Sequence, residues 1–94
     1  MKLSARNINK GKVVEVTKGQ TTAHVRLEVA DGTIVTASIT NQAVDDLALQ
    51  VGQLAYAVIK ASDVMIAVDD LALQVGQQAY AVIKASDVMI AVDD

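Results

Sequence analysis

The sequence predicts a small all-β protein, and three adjacent features predict it. Residues 23–30 alternate between apolar and polar side chains, which is the pattern of a half-buried strand. Asp31 and Gly32 follow, a pair typical of a tight hairpin turn because glycine accepts a positive φ. Residues 33–40 are then rich in β-branched side chains, which favour strands. The centre of the chain is therefore predicted to be a β-hairpin.

The segments on either side of this hairpin complete the first half of the predicted fold. Upstream, residues 12–17 contain three valines and are predicted to form another strand. Downstream, residues 41–49 place apolar side chains at helical spacing, which predicts a short helical turn. Either Thr40 or Asn41 can cap that turn, since both side chains accept a hydrogen bond from a free backbone N–H group.

Residues 54–60 and 64–68 are predicted to form two further strands, joined by a three-residue loop. Five or six short strands with one helical turn are typical of a small OB-like β-barrel.

An almost perfect internal repeat follows. Residues 45–70 recur as residues 69–94, and the copies differ only where Leu54 is replaced by Gln78. Even solvent-type side chains match, which indicates a recent or engineered duplication. Two copies are too few for a solenoid. We expect residues 1–68 to form the folding unit.

Residues 69–94 are then a spare copy that adds a turn and a β-hairpin. This copy is expected to dock on a sheet edge or to exchange with a neighbouring subunit. The alternative is that it hangs loose, in which case its apolar hairpin would invite aggregation. Either copy has the residues needed to complete the barrel, and the sequence leaves that choice open.

The composition limits the functions that the chain can have. The 94 residues include no cysteine, tryptophan or phenylalanine and a single histidine, His24. Disulfides and thiolate metal sites are therefore excluded, and the aromatic residues that stack on single-stranded nucleic acid are lacking. One histidine without a triad context does not predict an enzyme.

Charge and hydropathy limit the partners. The net charge is −3, but residues 1–26 have a net charge of +5 and residues 27–94 a net charge of −8. Nucleic-acid binding requires an overall basic balance, so no such partner is expected. Apolar runs of five residues are far shorter than the roughly 20 needed to span a membrane, and no signal-peptide pattern opens the chain. We expect a cytoplasmic protein whose small core is supported by oligomerisation.

Two groups of hydrogen-bond donors predict an anion site. In an extended N-terminal segment, Ser4 and Arg6 lie on one face because side chains two apart point the same way. The second group is Lys60, Ala61 and Ser62, at a turn whose backbone N–H groups are available. Donors without acceptors suit a small oxyanion. The alternative is an edge strand with solvated basic side chains.

The segments Ser4–Asn7, Lys10–Val14 and Ala57–Ile66 resemble the molbindin (Mop) family of small molybdate- and tungstate-binding domains, which are related to TOBE domains. The resemblance covers residues 1–68. It implies an OB-like barrel that assembles as a homo-oligomer, a hexamer built as a trimer of dimers. Its implied function is to bind molybdate or tungstate at subunit interfaces for intracellular storage or homeostasis of molybdenum.

The resemblance also assigns site residues. It implies that Ser4 and Arg6 of one subunit and Lys60 of another hold the oxyanion. The backbone N–H of Ala61 and the hydroxyl of Ser62 are expected to assist. Their counterparts in the second copy are candidates for an extra anion site: Lys84, Ala85 and Ser86. The alternative function is an assembly module, natural or engineered, in which the repeat alters the oligomer and anion binding is secondary.

Overall fold

A computed structural model describes residues 2–69 and 72–93; Met1, Asp70, Leu71 and Asp94 lie outside the described residues. The described part contains seven strands and one short α-helix, so the all-β prediction is confirmed. In chain order they are β1 (Asn7–Lys18), β2 (Thr22–Glu28), β3 (Ile34–Thr40), α1 (Asn41–Asp46), β4 (Leu54–Ile59), β5 (Met65–Ala67), β6 (Tyr80–Val82) and β7 (Val88–Ala91).

Five strands form the main antiparallel sheet, in the order β3-β2-β1-β4-β7. The sheet curls until its two edge strands, β3 and β7, contact each other, which gives the small barrel predicted from the sequence. Apolar side chains on the inner face form one core. Its largest fully buried members are Leu27, Ile59, Val13 and Val25.

The central hairpin forms as predicted. Along β2, Ala23, Val25 and Leu27 are buried while the side chains between them are exposed. The turn into β3 places both Asp31 (φ 58°) and Gly32 (φ 76°) in the left-handed region. Two consecutive positive φ values match the right-handed twist of the flanking strands, so the turn fixes the register of β2 against β3.

Strand β1 is longer than the sequence pattern predicts because it pairs with two neighbours. Its first half, residues 7–12, pairs with β4, and its second half, residues 12–18, pairs with β2. The side chains of the first half are mostly polar and exposed, so hydropathy alone does not reveal it. Gly11 lies where the strands approach closely: a Cβ there would be 2.6 Å from the backbone oxygen of Glu28.

The helical turn is also confirmed, and it connects the two halves of the barrel. Thr40 is the N-cap of α1, and its hydroxyl accepts a hydrogen bond from the N–H of Ala43 at 3.0 Å. Val44 packs in the core below. In the described residues no helix is long and apolar enough to cross a membrane.

The two sequence copies exchange strands, and here the structure differs from the prediction. The expected hairpin within the second copy does not form; β4 pairs with β7, and β5 pairs with β6 in a separate two-stranded sheet that we call the outer hairpin. Val58 lies opposite Met89 and Val82 lies opposite Met65, so both pairs join equivalent residues of the repeat. Sequence cannot choose between pairings that bring together the same side chains. Because β7 belongs to the barrel, a division at residue 68 does not follow the fold.

Candidate functional site

The register of β1 against β4 places the two predicted groups of donors side by side. Asn7, the first residue of β1, pairs with Ile59, the last residue of β4, and the Asn7 side chain donates a hydrogen bond to the Ile59 carbonyl at 3.4 Å. The strands are antiparallel, so the residues before Asn7 run past the residues after Ile59. Arg6 therefore lies near Lys60.

These segments line one cavity of about 500 Å³, which we call the donor cavity. Three parts of the chain form its wall: the N-terminal segment, the end of β4 with the turn after it, and β7. The lining residues are Leu3, Ser4, Ala5, Arg6, Val58, Lys60, Ala61, Ser62, Met89, Ile90 and Ala91. All five residues predicted for the main site thus lie in one cavity of a single chain.

The turn that follows β4 explains why backbone N–H groups are available there. Lys60 is extended (φ −68°, ψ 139°) and precedes a single 3₁₀ turn at Ala61–Asp63. The turn is closed by hydrogen bonds from the Asp63 N–H to the Lys60 carbonyl, at 2.9 Å, and from the Val64 N–H to the Ala61 carbonyl, at 3.3 Å. The first N–H groups of such a turn have no partner within it, so those of Ala61 and Ser62 are free to serve a ligand.

The N-terminal segment departs from the predicted alternation. The chain bends at Ser4 and at Arg6, and regular strand structure begins only at Asn7. All four residues from Leu3 to Arg6 line the donor cavity, and not Ser4 and Arg6 alone. The bent segment therefore contributes two polar and two apolar residues to the cavity wall.

The electrostatics of the donor cavity favour an anion. Arg6 and Lys60 both contribute cations, and none of the eleven lining residues is acidic. Both cations are exposed, while Val58 beneath them is buried at 3 % exposure. Among the described residues, ion pairs lie outside this cavity: Lys18 pairs with Asp45 at 2.5 Å, and Arg26 pairs with Glu15 at 3.4 Å. The two cavity cations therefore lie above an apolar floor, where an attraction for a bound charge is screened less than in open water.

A hydrogen bond holds β7 against this site. The Tyr56 hydroxyl on β4 donates to Oδ2 of Asp93, just beyond β7, at 2.9 Å. This bond to a carboxylate raises the pKa of Tyr56, and desolvation and the negative charge of Asp93 act in the same direction. The bond connects the end of β7 to β4, next to the Met89–Ala91 segment that lines the donor cavity.

The structure does not bring the second-copy candidates to the donor cavity. Lys84, Ala85 and Ser86 lie in an equivalent turn whose 3₁₀ residues, Ala85–Asp87, pack against β3. Sequence reasoning in turn did not assign the β7 side of the cavity, Met89–Ala91, because it left open which copy completes the barrel. The repeat was the available signal. Met89 lies opposite Val58, and Met65 is its equivalent in the first copy, so Met89 takes the place that Met65 would have in a hairpin of β4 with β5.

A metal site is a separate question. Across residues 2–69 and 72–93, no three histidine, cysteine, aspartate or glutamate side chains lie close enough to hold a metal ion. The donor set of the cavity, a hydroxyl, a guanidinium, an ammonium and backbone N–H groups, suits an anion and not a cation.

Comparison with known proteins identifies relatives of this chain. The sequence profile of the TOBE domain matches residues 3–66. Molybdenum-pterin-binding protein 3 of Clostridium pasteurianum is 52% identical over 65 residues, which are 69% of this chain and 96% of that protein. A probable molybdenum-pterin-binding protein of Haemophilus influenzae is 45% identical over 65 residues, 69% of this chain and 94% of that protein.

The fold has a solved counterpart. The structure of ModG, a cytoplasmic molybdate-binding protein crystallised with molybdate bound, superimposes with a TM-score of 0.85. The match covers 99% of this chain and 100% of the ModG chain at 23% sequence identity. At that identity the likeness concerns the fold.

Proposed function

This chain belongs to the TOBE domain family, and on that premise we propose that it binds molybdate or tungstate in the donor cavity, for intracellular storage or homeostasis of molybdenum. One observation carries the proposal: the Ser4–Arg6 segment and the Lys60–Ser62 turn line a single cavity without an acidic side chain. The similarity to molybdenum-pterin-binding proteins and to the ModG fold supports the choice of ligand.

The chemistry of the cavity selects among anions. Molybdate and tungstate are tetrahedral dianions that present only acceptor oxygens, which matches a site made of donors. Hydrogen phosphate keeps a proton that would face a donor, so it binds less well. Sulfate has no such proton, and the size of the site must separate it from the larger molybdate.

The number of donors sets the scale of the affinity. Ser4, Arg6, Lys60 and the two turn N–H groups offer about five hydrogen bonds, and each charge-assisted bond contributes about 1.5–3 kcal/mol net. After the cost of desolvation and of immobilising the ion, we expect a binding free energy near −8 kcal/mol, equivalent to roughly micromolar affinity.

Calorimetric titration with molybdate tests the site. Arg6→Ala removes a cavity guanidinium and should weaken binding by about 10- to 150-fold, the factor that corresponds to one lost charge-assisted bond. Arg26→Ala is the matched control, because Arg26 lies on β2 with its guanidinium 3.4 Å from Glu15 and does not line the cavity. Equal affinities in the two variants would remove Arg6 from the site.

Assembly is part of the proposal. The family resemblance implies a homo-oligomer, a trimer of dimers, and a set of exposed apolar side chains outside the outer hairpin supports association between copies: Val51, Leu54, Leu73 and Val75. Because one chain brings both groups of donors together, molybdate affinity should not depend on protein concentration. Titrations above and below the assembly range, monitored by sedimentation velocity, distinguish this from a site shared between subunits, in which dilution weakens binding.

The proposed role is binding without catalysis, in the cytoplasm as described for ModG. The donor cavity offers cations and hydrogen-bond donors but no carboxylate or imidazole that could accept a proton. A stable complex, with molybdate recovered unchanged on release, is the expected behaviour. The alternative of a pure assembly module predicts no heat on titration with molybdate.

A further inference from the structure

The outer hairpin repeats most of the donor cavity. Seven of the eleven lining residues belong to the repeated sequence, and each has a counterpart that does not line the donor cavity. Val58 and the turn residues 60–62 correspond to Val82 and residues 84–86. Residues 89–91 of β7 correspond to residues 65–67 of β5, which lie opposite β6 in the same register.

The backbone geometry of the two turns also agrees. Lys60 has φ −68° and ψ 139°, and Lys84 has φ −70° and ψ 138°. The Asp63 N–H bonds to the Lys60 carbonyl at 2.9 Å, and the Asp87 N–H bonds to the Lys84 carbonyl at the same distance. The second unit therefore presents the same wall in the same shape. What it lacks is a counterpart of the Leu3–Arg6 segment.

Exposure shows what else is missing. Val58 on β4 is 3% exposed and Val82 on β6 is 42% exposed, although their sequence neighbours are the same. Similarly, Ala57 is buried and Ala81 is exposed. The difference arises because β4 pairs with β1 along its other edge, whereas β6 has β5 as its neighbour in the sheet. The outer hairpin is thus half of a barrel without the part equivalent to β1, β2 and β3.

We propose that the outer hairpin and the Lys84–Asp87 turn form the receiving half of a second barrel and of a second oxyanion site. Their partner is a basic N-terminal module of the kind formed here by residues 2–40, supplied by another polypeptide. Its first strand pairs with the free edge of β6, and its Ser-x-Arg segment lies against Lys84. The oxyanion part of this inference rests on the proposed function; the strand pairing does not.

Charge complementarity favours this partner. Residues 2–40, the existing module, have a net charge of +3, and residues 65–87, which contain the outer hairpin and the turn, have a net charge of −2. A second copy of the whole chain cannot pair its β1 with the free edge of β6, because that β1 already pairs with its own β4. Residues 1–94 contain one N-terminal module and two receiving units, so the second receiving unit has no module of its own within these residues. A two-stranded sheet is marginal by itself, and three further strands would stabilise it.

The first test supplies the partner in trans. Residues 1–53, which contain β1 to β3 and α1, are co-expressed with the tagged full chain. We expect a one-to-one complex in native mass spectrometry and a rise in bound molybdate from one to two ions per complex. If the unmodified chain instead self-associates through β6 and excludes the fragment, the edge belongs to a second copy and the proposal is wrong.

The second test guards against a fragment that does not fold. A further copy of residues 2–44 is inserted between Val68 and Asp69, which recreates the native junction of Val44 with an aspartate. In a Tyr56→Phe background, Tyr80 becomes the sole tyrosine outside the inserted sequence, since residues 2–44 contain none. We expect acrylamide quenching of Tyr80 fluorescence to fall and molybdate stoichiometry to double.

The matched control carries Arg6→Ala in the inserted copy alone. Tyr80 should stay protected while stoichiometry returns to one, which separates barrel completion from anion binding. Unchanged quenching of Tyr80 in a folded insertion variant would overturn the inference. Protection of Tyr80 without molybdate binding to any variant would refute the proposed function and leave the strand pairing standing.

Discussion

The choice of β7 over β5 as the strand that closes the barrel can be tested with a pair of identical substitutions. Val88 begins β7, is 2% exposed and packs in the core, whereas its counterpart Val64 is half-buried at the margin. Val→Ala removes two methyl groups at either position. If β7 closes the barrel, only the substitution at residue 88 leaves a cavity in the core.

The expected magnitudes differ enough to measure. Two buried methyl groups are worth about 1.6 kcal/mol at about 0.8 kcal/mol each, and the residual cavity raises the loss for Val88→Ala to about 2–3 kcal/mol. Val64→Ala should cost about 1 kcal/mol or less because its side chain is only partly buried, at the margin of the core. Urea unfolding followed by far-ultraviolet circular dichroism measures both. For an m-value near 1.5 kcal/mol/M, the midpoint of Val88→Ala should fall by more than about 1 M.

A double variant shows whether the strands interchange. Since β5 and β7 share one sequence, a chain that moved β5 into the barrel would evade the loss at Val88. Either single substitution would then cost little, and Val64→Ala with Val88→Ala together would cost the full 2–3 kcal/mol. That result, or a larger loss for Val64→Ala than for Val88→Ala, would refute β7 as the fixed closing strand.

Three other substitutions test local features. Tyr56→Phe removes the hydrogen bond to Asp93. That bond raises the pKa of Tyr56 above its ordinary value of 10.0. The stabilisation that the bond provides is therefore complete below about pH 10 and is lost as the pH rises further. Urea midpoints of the wild type should therefore approach those of Tyr56→Phe at high pH, and a constant gap would contradict this. Gly11→Ala sets a methyl group 2.6 Å from the Glu28 carbonyl oxygen and should cost about 1–3 kcal/mol in the same urea assay; an unchanged midpoint would mean that the strands separate freely there. Thr40→Ala removes the N-cap of α1 and should cost about 1 kcal/mol, whereas Thr40→Ser, which keeps the hydroxyl, should restore most of it.

The sequence predicts those elements whose cause is local. Alternation along β2 and the Asp31-Gly32 turn define the central hairpin because each depends on neighbouring residues alone. The Thr40 cap similarly marks the start of α1. The first half of β1 was missed because its side chains are polar, and its strand structure comes from backbone pairing with β4, a partner more than forty residues away.

The sequence predicted the residue types of the candidate site but not which segments of the chain come together to form it. Serine, arginine and lysine near two strand ends indicated an oxyanion, and the structure places all five residues in one cavity. Their proximity follows from a single register, Asn7 against Ile59, which pattern analysis does not supply. The contribution of β7 depends on which copy of the repeat enters the barrel, and identical sequences contain no information on that choice.

Position in the fold, and not sequence, therefore determines what each copy of the repeat does. The first copy supplies β4 and the Lys60 turn to the donor cavity, and the second copy supplies β7 to the same cavity. Neither copy builds that wall alone. Because a strand from the second copy fills the barrel, the first copy's own closing strand, β5, lies outside and pairs with β6. The exchange that completes one barrel thus also creates the outer hairpin, so a variant that returned β5 to β4 would remove the free edge of β6 as well.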